Sequence, residues 1–450
     1  MTTNDQPSII ERISNGIRNS ISLKLILIAI LVLLLLIPMS MVSSIITERR
    51  LLRSATEDEI SDKWARQQVL TGPVLSVPLL YERKNEDGET ESYMRQLHIL
   101  PDQLNIQGEV TPHVRSRGIY DVTVYSSDLG MEGNFELKDY QLDNEELKEI
   151  QWHKAFLTLG LSDLRGIRES IPFTWNQSRL PIEPGSRIQE LIPSGITFPV
   201  AIDPEGVSNF DFKIDLEING SEMLRFTPLG LETDVNISSS WPDPSFTGNF
   251  IPDNHEITDD GFTAKWNVLQ LNRNFPQQWI GNTYSDELHA SAFGVRLYSG
   301  LDDYQKSTRS AKYAVMTLAL TFLIFFLTEV LNHRRIHPFQ YALVGLALCL
   351  FYILLVSLSE HIDFNLAYGI ASLAIIAVIT FYAYHVFRSP RITALLSILL
   401  AGIYTFVFVT LQLTDYALLI GSIGLLAILA VTMYYTRNIN WYKLSLGNQG

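Results

Sequence analysis

Long apolar runs divide the chain into membrane-spanning segments and one large polar region. A run of about 20 apolar residues is enough to cross the hydrocarbon core of a bilayer. Six runs reach that length: Leu25–Ile46, Tyr313–Leu331, Phe339–Ser357, Leu366–Phe387, Ile392–Leu411 and Tyr416–Tyr435. We therefore predict one N-terminal span, a large domain over residues 47–310, five C-terminal spans over residues 311–436, and short tails at residues 1–24 and 437–450.

The polar region has the alternating pattern of β-strands. In Asp211–Ile218 apolar side chains alternate strictly with charged ones, and Asn219-Gly220 follows, which is a strong hairpin signal. Many short strands separated by Gly, Pro, Asn and Asp favour two packed sheets. The fold class is thus predicted as an α+β membrane protein with six transmembrane helices and a large, β-rich, sandwich-like domain. Four further strand candidates are Arg117–Ser127, Lys154–Ser162, Gly261–Leu269 and His289–Leu297.

A helical stalk is predicted between the first span and the first strand. Over Glu48–Leu70, opposite charges recur four residues apart, as in Arg53–Glu57, Glu59–Lys63 and Asp62–Arg66, which supports an exposed helix over residues 48–70. Pro73 then ends the helical pattern. The apolar run of the first span is longer than that of a signal peptide and no A-x-A site follows it, so we expect an uncleaved anchor.

The charges of the short loops predict the orientation of the spans. Asn332–Pro338 and Arg388–Arg391 are basic, whereas the alternate loops Ser359–Asn365 and Gln412–Asp415 are acidic. Because basic loops stay in the cytoplasm, both termini are predicted to be cytoplasmic and residues 47–310 periplasmic. The segment Glu48–Arg53 does not fit this pattern, because it places three arginines just outside the first span. The prediction follows the other loops, which agree with one another.

Composition narrows the classes of partner. Apolar residues make up 47% and charged residues 18% of the chain, a balance that favours a membrane protein. Residues 47–310 contain 24 Lys and Arg against 42 Asp and Glu, a net charge of −18, which argues against nucleic acid as a partner. The expected partners are the lipid bilayer and envelope proteins of the periplasm or inner membrane. The single cysteine, Cys349, lies in an apolar run, so the polar domain needs no disulfide.

The sequence contains no motif for catalysis, a cofactor or a metal. Walker A, GxGxxG, HExxH and G-x-S-x-G patterns are missing, so we predict no enzyme and identify no small-molecule ligand. Asp259-Asp260-Gly261 is interpreted as a hairpin turn rather than a calcium site. The histidines of the polar domain lack metal-ligand spacing and are expected in surface or strand positions: His98, His113, His153, His255 and His289.

Three tryptophans mark a candidate partner surface of the periplasmic domain. Trp241, Trp266 and Trp279 lie in or beside a segment that is dense in prolines, aromatics and acids. They would either line a groove for a partner or pin a long loop to the sheets from inside. The second interpretation is favoured, because aromatic side chains more often pack than bind.

The polar residues of the membrane region lie near the ends of the spans. Glu329, His333 and His337 fall near the cytoplasmic boundary, and the middle of each span lacks an ionisable side chain other than Cys349. This depth pattern counts against a proton-coupled carrier. His333 and His337 are four residues apart, as metal ligands on a helix would be, but a basic anchor is the favoured interpretation.

Glu360, His361 and Asp363 form a candidate functional or interfacial cluster at the predicted outer boundary. Such a cluster would hold a divalent cation or pair with Lys312. Pairing is favoured because it needs no cofactor.

Several segments together carry a family resemblance. They are TGPVLSVPLLY (Thr71–Tyr81), LSDLRGI (Leu161–Ile167), DGFTAKWNVLQLNRNFPQQW (Asp260–Trp279), FGVRLYSGLDDYQKSTRSAKYA (Phe293–Ala314), HPFQYALVGLALCLFYILLVSLSEHIDFNLAY (His337–Tyr368), DYALLIGS (Asp415–Ser422) and NWY (Asn440–Tyr442). In these segments the chain resembles the CreD family of bacterial inner-membrane proteins, which is linked to cell envelope integrity. The resemblance implies a multi-pass inner-membrane protein with a periplasmic domain, associated with envelope stress that includes β-lactam and colicin tolerance, and it brings no catalytic residues.

We therefore expect a non-catalytic protein that supports or senses envelope integrity through periplasmic or membrane partners. One alternative is a transporter or lipid-handling protein that uses the C-terminal helix bundle. Another is a periplasmic hydrolase, which would need acids and histidines to converge in one cleft.

Overall fold

The computed structural model describes residues 21–84, 89–137, 146–203, 209–297, 302–332, 336–413 and 416–437. The chain divides into two compact units. The membrane unit consists of Met1–Leu52 and Gly300–Gly450, and the β-domain consists of Arg53–Ser299.

Within the described residues, six helices are long and apolar enough to cross a membrane, which confirms the six spans predicted from the apolar runs. The proline after the N-cap is accommodated in two of them, since Pro338 and Pro390 occupy first-turn positions where an N–H has no helical partner. The six helices are α1 (Ile21–Trp64), α4 (Ala314–Leu331), α5 (Pro338–Ser359), α6 (Phe364–Phe387), α7 (Pro390–Gln412) and α8 (Ala417–Thr436). Two shorter helices are α2 (Ser285–Ala290) and α3 (Asp302–Lys312).

The membrane unit has one apolar core to which α1 and α4–α7 contribute most of the buried side chains. Leu35 of α1, Phe322 of α4 and Leu348 of α5 belong to it. In α8 the only buried residue is Ala417 among the described positions, so this helix presents an apolar surface suited to lipid.

The helix predicted over residues 48–70 extends less far than expected. α1 continues past the apolar run and ends at Trp64 rather than Leu70. The reason is strand pairing, because Gln68–Leu70 already pair in parallel with Leu224–Phe226. A residue in a sheet ladder cannot keep helical backbone angles.

The described residues of the β-domain form two sheets. Their strands are β1 (Gln68–Lys84), β2 (Thr90–Ile99), β3 (Gln103–Arg117), β4 (Tyr120–Glu136), β5 (Leu147–Ile150), β6 (Phe156–Leu161), β7 (Phe173–Trp175), β8 (Ser178–Arg179), β9 (Glu183–Pro184), β10 (Gly195–Pro199), β11 (Asn209–Ser221), β12 (Met223–Phe226), β13 (Glu232–Ser239), β14 (Pro244–Gly248), β15 (Asn254–Thr258), β16 (Gly261–Leu269), β17 (Gln278–Ile280) and β18 (Phe293–Leu297). The first sheet has ten strands in the described chain, with the order β14-β18-β12-β1-β6-β10-β9; β2 and β5 pair with β1, and β17 pairs with β2. The second has eight described strands, with the order β15-β16-β13-β3-β4-β11-β7-β8.

One hydrophobic core lies between the two sheets, which confirms the sandwich-like architecture. The alternation seen in β11 is the reason, since Phe212, Ile214 and Leu216 are buried while the charged residues between them are exposed or half-exposed. Three short 3₁₀ turns complete the domain at Trp152–Lys154, Leu164–Gly166 and Gln270–Asn272.

The hairpin predicted at Asn219-Gly220 is wrong. β11 runs through both residues to Ser221, and the chain then enters β12, which belongs to the other sheet. The glycine serves packing instead of a turn. A Cβ on Gly220 would lie 2.3 Å from the hydroxyl oxygen of Tyr125, which is buried opposite it in β4.

Three other strand predictions have wrong boundaries. Gly118 turns the chain with a φ of 63°, so the predicted strand Arg117–Ser127 begins only at Tyr120. His289 lies in α2 rather than in β18, and Lys154 ends a 3₁₀ turn before β6. The hairpin turn at Asp259-Asp260 is confirmed, because Thr258 pairs directly with Gly261.

Candidate functional site

The cluster Glu360, His361 and Asp363 does not converge on one point. Asp363 caps α6 by accepting a hydrogen bond from the backbone N–H of Asn365 at 2.9 Å, and His361 is exposed. The Glu360 side chain contacts Arg49 of α1, with 3.5 Å between Oε1 and Nε, rather than the predicted Lys312. Each acid therefore has a local structural role.

Metal binding at that cluster lacks a ligand set. Among the described residues there is no group of three or more His, Cys, Asp or Glu side chains that could hold a metal ion. His337 accepts a hydrogen bond from the N–H of Phe339 at 3.2 Å and so caps α5. His333 lies outside the described residues.

A buried charged pair joins three segments of the membrane unit. The Lys24 ammonium contacts Oε1 of Glu329, which is fully buried in α4. Lys24 also donates to the carbonyl of Ile336 at 2.9 Å, and the N–H of Ile336 donates to Glu329 Oε1 at 3.0 Å. The hydroxyl of Tyr341 donates to Glu329 Oε2 at 2.9 Å. We call Lys24, Glu329, Ile336 and Tyr341 the bundle lock.

The bundle lock compensates both of its charges. A buried ion pair is tolerable only when its remaining donors and acceptors are satisfied, and both Glu329 oxygens have partners here. Sequence reasoning placed Glu329 at a boundary and missed its partner. The sequence does contain a signal for this pair: Glu329 is an acid within an apolar span, and Lys24 is a lysine at the start of another. Charged residues in membrane spans usually pair with one another.

The three tryptophans of the candidate partner surface, Trp241, Trp266 and Trp279, do not share an exposed surface. Trp266 is fully buried and Trp279 is 7% exposed, so neither side chain lies on the surface of the β-domain. Trp279 packs against the ring of His98 at 5.4 Å between ring centres. Only Trp241 is partly exposed, and its Nε1 donates to the carbonyl of Asp243 at 3.1 Å. The segment is therefore pinned to the sheets from inside.

His98 is the one histidine of the described β-domain that is buried. Its Nδ1 lies 2.9 Å from the hydroxyl of Ser76, and its Nε2 has no hydrogen-bond partner among the described residues. Burial lowers the pKa of His98 to about 4, so the ring is neutral at neutral pH.

Charged and aromatic contacts fix the last turns of α1 to the β-domain. Glu59 pairs with Arg117, and this guanidinium lowers the pKa of Glu59 to about 2. Trp64 donates from Nε1 to the carbonyl of Tyr125 at 3.2 Å. The guanidinium of Arg115 lies 4.8 Å from the centre of the Trp64 ring, within cation–π range.

Asp163 fastens the chain that leaves α1. Its Oδ2 accepts from the N–H of Arg66 at 2.9 Å and from Nη2 of Arg165 at 2.7 Å. Arg165 also donates to the carbonyl of Asp62 at 2.5 Å. The hydrogen bonds from Arg165 lower the pKa of Asp163 to about 2 and keep the carboxylate charged. We call Glu59, Asp62, Trp64, Asp163 and Arg165 the stalk clamp.

The sequence LSDLRGI supplies the local geometry of the stalk clamp. Asp163 caps the 3₁₀ turn Leu164–Gly166 by accepting from the N–H of Arg165 at 3.1 Å. Gly166 permits close approach of the neighbouring chain, since a Cβ there would lie 2.4 Å from the carbonyl oxygen of Asn219. Sequence reasoning used this segment only for the family resemblance and missed the contact with α1.

Comparison with known proteins agrees with this architecture. A family model described as inner membrane protein CreD matches residues 20–442. The inner membrane protein CreD of Escherichia coli strain K12 is 33% identical over 416 residues, which cover 91% of this chain and 91% of that protein. With its six spanning helices, the chain is a multi-pass inner-membrane protein. It belongs to the CreD family.

Proposed function

We propose that this protein supports or senses cell envelope integrity from the inner membrane, without catalysis and through periplasmic or membrane partners. The β-domain is then periplasmic, and both termini are cytoplasmic. The stalk clamp is the observation that carries the proposal. Through it, a membrane-anchored helix is tied to β3, to β4 and to the 3₁₀ turn that follows β6 by ion pairs and hydrogen bonds, so a force on the β-domain would act on α1.

The short loops support this orientation. Asn332–Pro338 and Arg388–Arg391 are basic, and the alternate loops are acidic. The arginines of Glu48–Arg53 do not follow that pattern. Two of them contact carboxylates, since Arg49 lies 3.5 Å from Glu360 and Arg53 donates to Glu57 at 2.8 Å.

The experiment that tests the proposal separates the clamp from the rest of the β-domain. A host that lacks its own copy is complemented with wild type, Arg165→Ala or Arg168→Ala, and envelope survival under β-lactam challenge is scored. Arg168 is the matched control, because it makes only a half-exposed contact with Glu217 at 3.7 Å. We expect Arg165→Ala alone to lose protection. Full protection by a normally inserted Arg165→Ala protein would contradict the proposal.

Partner capture provides the second arm of that experiment. Crosslinking of the β-domain in cells, followed by identification of the captured molecules, should recover envelope proteins. Recovery of a discrete small substrate that the protein converts would instead favour an enzyme.

One observation favours a transport function as the second candidate. Glu329 and Lys24 form an ionisable pair inside the helix bundle, and such pairs mark ion and substrate pathways in many transporters. Flux measurements in proteoliposomes test this candidate. A flux that disappears in Glu329→Gln would favour transport over the scaffold function.

A further inference from the structure

A polar depression lies on the solvent-facing side of the second sheet. Its volume is about 390 Å³, at the low end of the range for small-molecule sites. The strand register lines up its side chains in two rows across β11, β4 and β3. The first row is Asp211, Asn134 and Gln103, and the second is Lys213, Glu132 and Asn105.

Several of these side chains are not used by the fold. Gln103, Asn105 and Glu132 are exposed or half-exposed and make no side-chain hydrogen bond to another described residue. Their neighbours Leu104 and Ile106 face the core and hold β3 in register. The depression therefore presents amide and carboxylate groups, on a rigid sheet, that are available to a ligand.

The turn at the edge of the depression carries an unusual residue. Trp175 pairs with Ser178, so Asn176 and Gln177 form a two-residue turn, with φ values of 45° and 68°. Such turns favour Asn followed by Gly. Asn176 also has a structural role, since its side-chain oxygen accepts from the N–H of Asp211 at 2.9 Å.

The left-handed backbone of Gln177 is not explained by a side-chain hydrogen bond of the kind that Asn176 makes. Its backbone adopts a left-handed conformation that favours glycine, yet a long amide side chain is present and lines the depression. Side chains kept in strained positions occur preferentially at ligand sites. This is a second observation, independent of the volume, that points to a ligand.

We propose that this depression binds a saccharide. Amides and carboxylates exchange hydrogen bonds with neighbouring hydroxyl groups, and they make up most of the lining. The one cation, Lys213, is outnumbered by Glu132 and Asp211, which disfavours phosphates. Phe212 is the apolar lining residue and is buried, so the site lacks the side-chain pockets that a peptide would need.

The proposal that the depression binds a saccharide rests only on the residues that line it. The identification of the ligand as a saccharide of the cell envelope rests on the proposed function, which places the β-domain in the periplasm. Binding in solution with no envelope phenotype would therefore count against the proposed function and leave the saccharide site standing.

Titration of the full-length protein in detergent with chitotetraose and with maltotetraose tests the site, with tetra-alanine as the peptide probe. Gln177→Gly is the decisive variant. It removes the side chain and relieves the backbone, so the melting temperature should stay the same or rise while saccharide affinity falls about tenfold. Gln107→Ala, on the same face of β3 but outside the depression, should change neither quantity.

Saturable binding of either saccharide, weakened by Gln177→Gly and not by Gln107→Ala, supports the site. The proposal is overturned if neither saccharide binds saturably, or if Gln177→Gly binds as wild type does. Saturable binding of tetra-alanine in place of the saccharides would overturn the ligand class.

Discussion

Lys24 in the membrane unit and Arg273 in the β-domain are two cations hidden from solvent to the same degree. Their exposed fractions are 7% and 8%. Lys24 is neutralised by a carboxylate, Glu329. Arg273 donates instead to backbone carbonyls, at 2.8 Å to Phe275 and 3.1 Å to Leu229, and burial lowers its pKa to about 10.

The two surroundings compensate a buried charge in different ways. In the β-domain, turns supply several carbonyl dipoles that can face one guanidinium, so no counter-charge is needed. Inside a helix bundle most carbonyls are already used by the helices, so Lys24 finds one free carbonyl, that of Ile336, and its charge is balanced by Glu329. His98 shows a third solution, since its buried ring is kept neutral.

The largest expected change in stability comes from removing the countercharge of Lys24. Glu329→Gln leaves Lys24 buried without its partner, which should destabilise the membrane unit by about 3–5 kcal/mol. The single cysteine, Cys349, is buried in the same core and reports on this loss. We expect its labelling by a maleimide to become much faster in the variant.

Restoring neutrality provides the control for that variant. In Lys24→Met combined with Glu329→Leu no charge is left unpaired, so Cys349 should return most of the way to the slow wild-type rate. A single Glu329→Gln variant that labels no faster than wild type would show that the bundle does not depend on compensation.

The neutral solution at His98 predicts a pH dependence. The unfolded chain takes up this proton near pH 6.5 and the folded chain only near pH 4. The free energy of unfolding is therefore unaffected above pH 6.5 and falls as the pH drops to 4, by about 3 kcal/mol. Denaturant unfolding followed by tryptophan fluorescence measures this, because six of the seven tryptophans lie in the β-domain.

His98→Asn isolates that contribution from the other acids. The variant cannot titrate at this position, so its stability should fall less steeply between pH 6.5 and pH 4 than that of wild type. Equal slopes for the two proteins would mean that His98 is not held neutral by the fold.

A smaller loss of stability is expected at Arg273, whose charge is compensated by backbone carbonyl dipoles. Arg273→Met removes a buried charge, which is favourable, but it leaves the carbonyl of Phe275 without its 2.8 Å donor and the carbonyl of Leu229 with only the amide of Gln277 at 3.4 Å. The net loss in the free energy of unfolding should be about 2 kcal/mol, measured by tryptophan fluorescence. Arg273→Lys is the matched variant and should recover part of the loss. A loss as large as that of Glu329→Gln would erase the contrast between the two surroundings.

The smallest effect belongs to the ion pair at the end of the bundle. Glu360→Gln breaks a 3.5 Å contact with Arg49; the Arg49 side chain is 44% exposed and the Glu360 side chain 11% exposed. Pairs of this kind contribute at most about 1 kcal/mol and weaken with salt. Cys349 labelling should therefore stay near the wild-type rate, whereas a large increase would give Glu360 an importance that its surroundings do not explain.

Sequence patterns predicted the spans closely and the polar contacts poorly. The apolar run Ile392–Leu411, for example, lies within two residues of α7 at its start, because bilayer thickness and helical rise fix the length of a span. Lys24 and Glu329 are 305 residues apart, and no local pattern links them. The same holds for Asp163 and α1, whose contact depends on how the sheets are assembled.

The errors within the β-domain have a common physical cause. Gly220 matched a turn signal, but packing against Tyr125 was the constraint that placed a glycine there. Trp266 and Trp279 drew attention as a surface because buried and exposed aromatics look alike in sequence. Turn and surface propensities are properties of single residues, whereas the conformation of Gly220 and the burial of Trp266 and Trp279 are set by tertiary packing.

Coupling between the two units can be tested through the two native reporters. Arg165→Ala breaks the stalk clamp in the β-domain, and the rate of Cys349 labelling reads the membrane unit, in membranes that contain the full-length protein. If α1 couples the units, Arg165→Ala should change that rate while Arg168→Ala does not, with tryptophan fluorescence showing a folded β-domain in both. A rate identical to wild type in a folded Arg165→Ala protein would contradict the coupling.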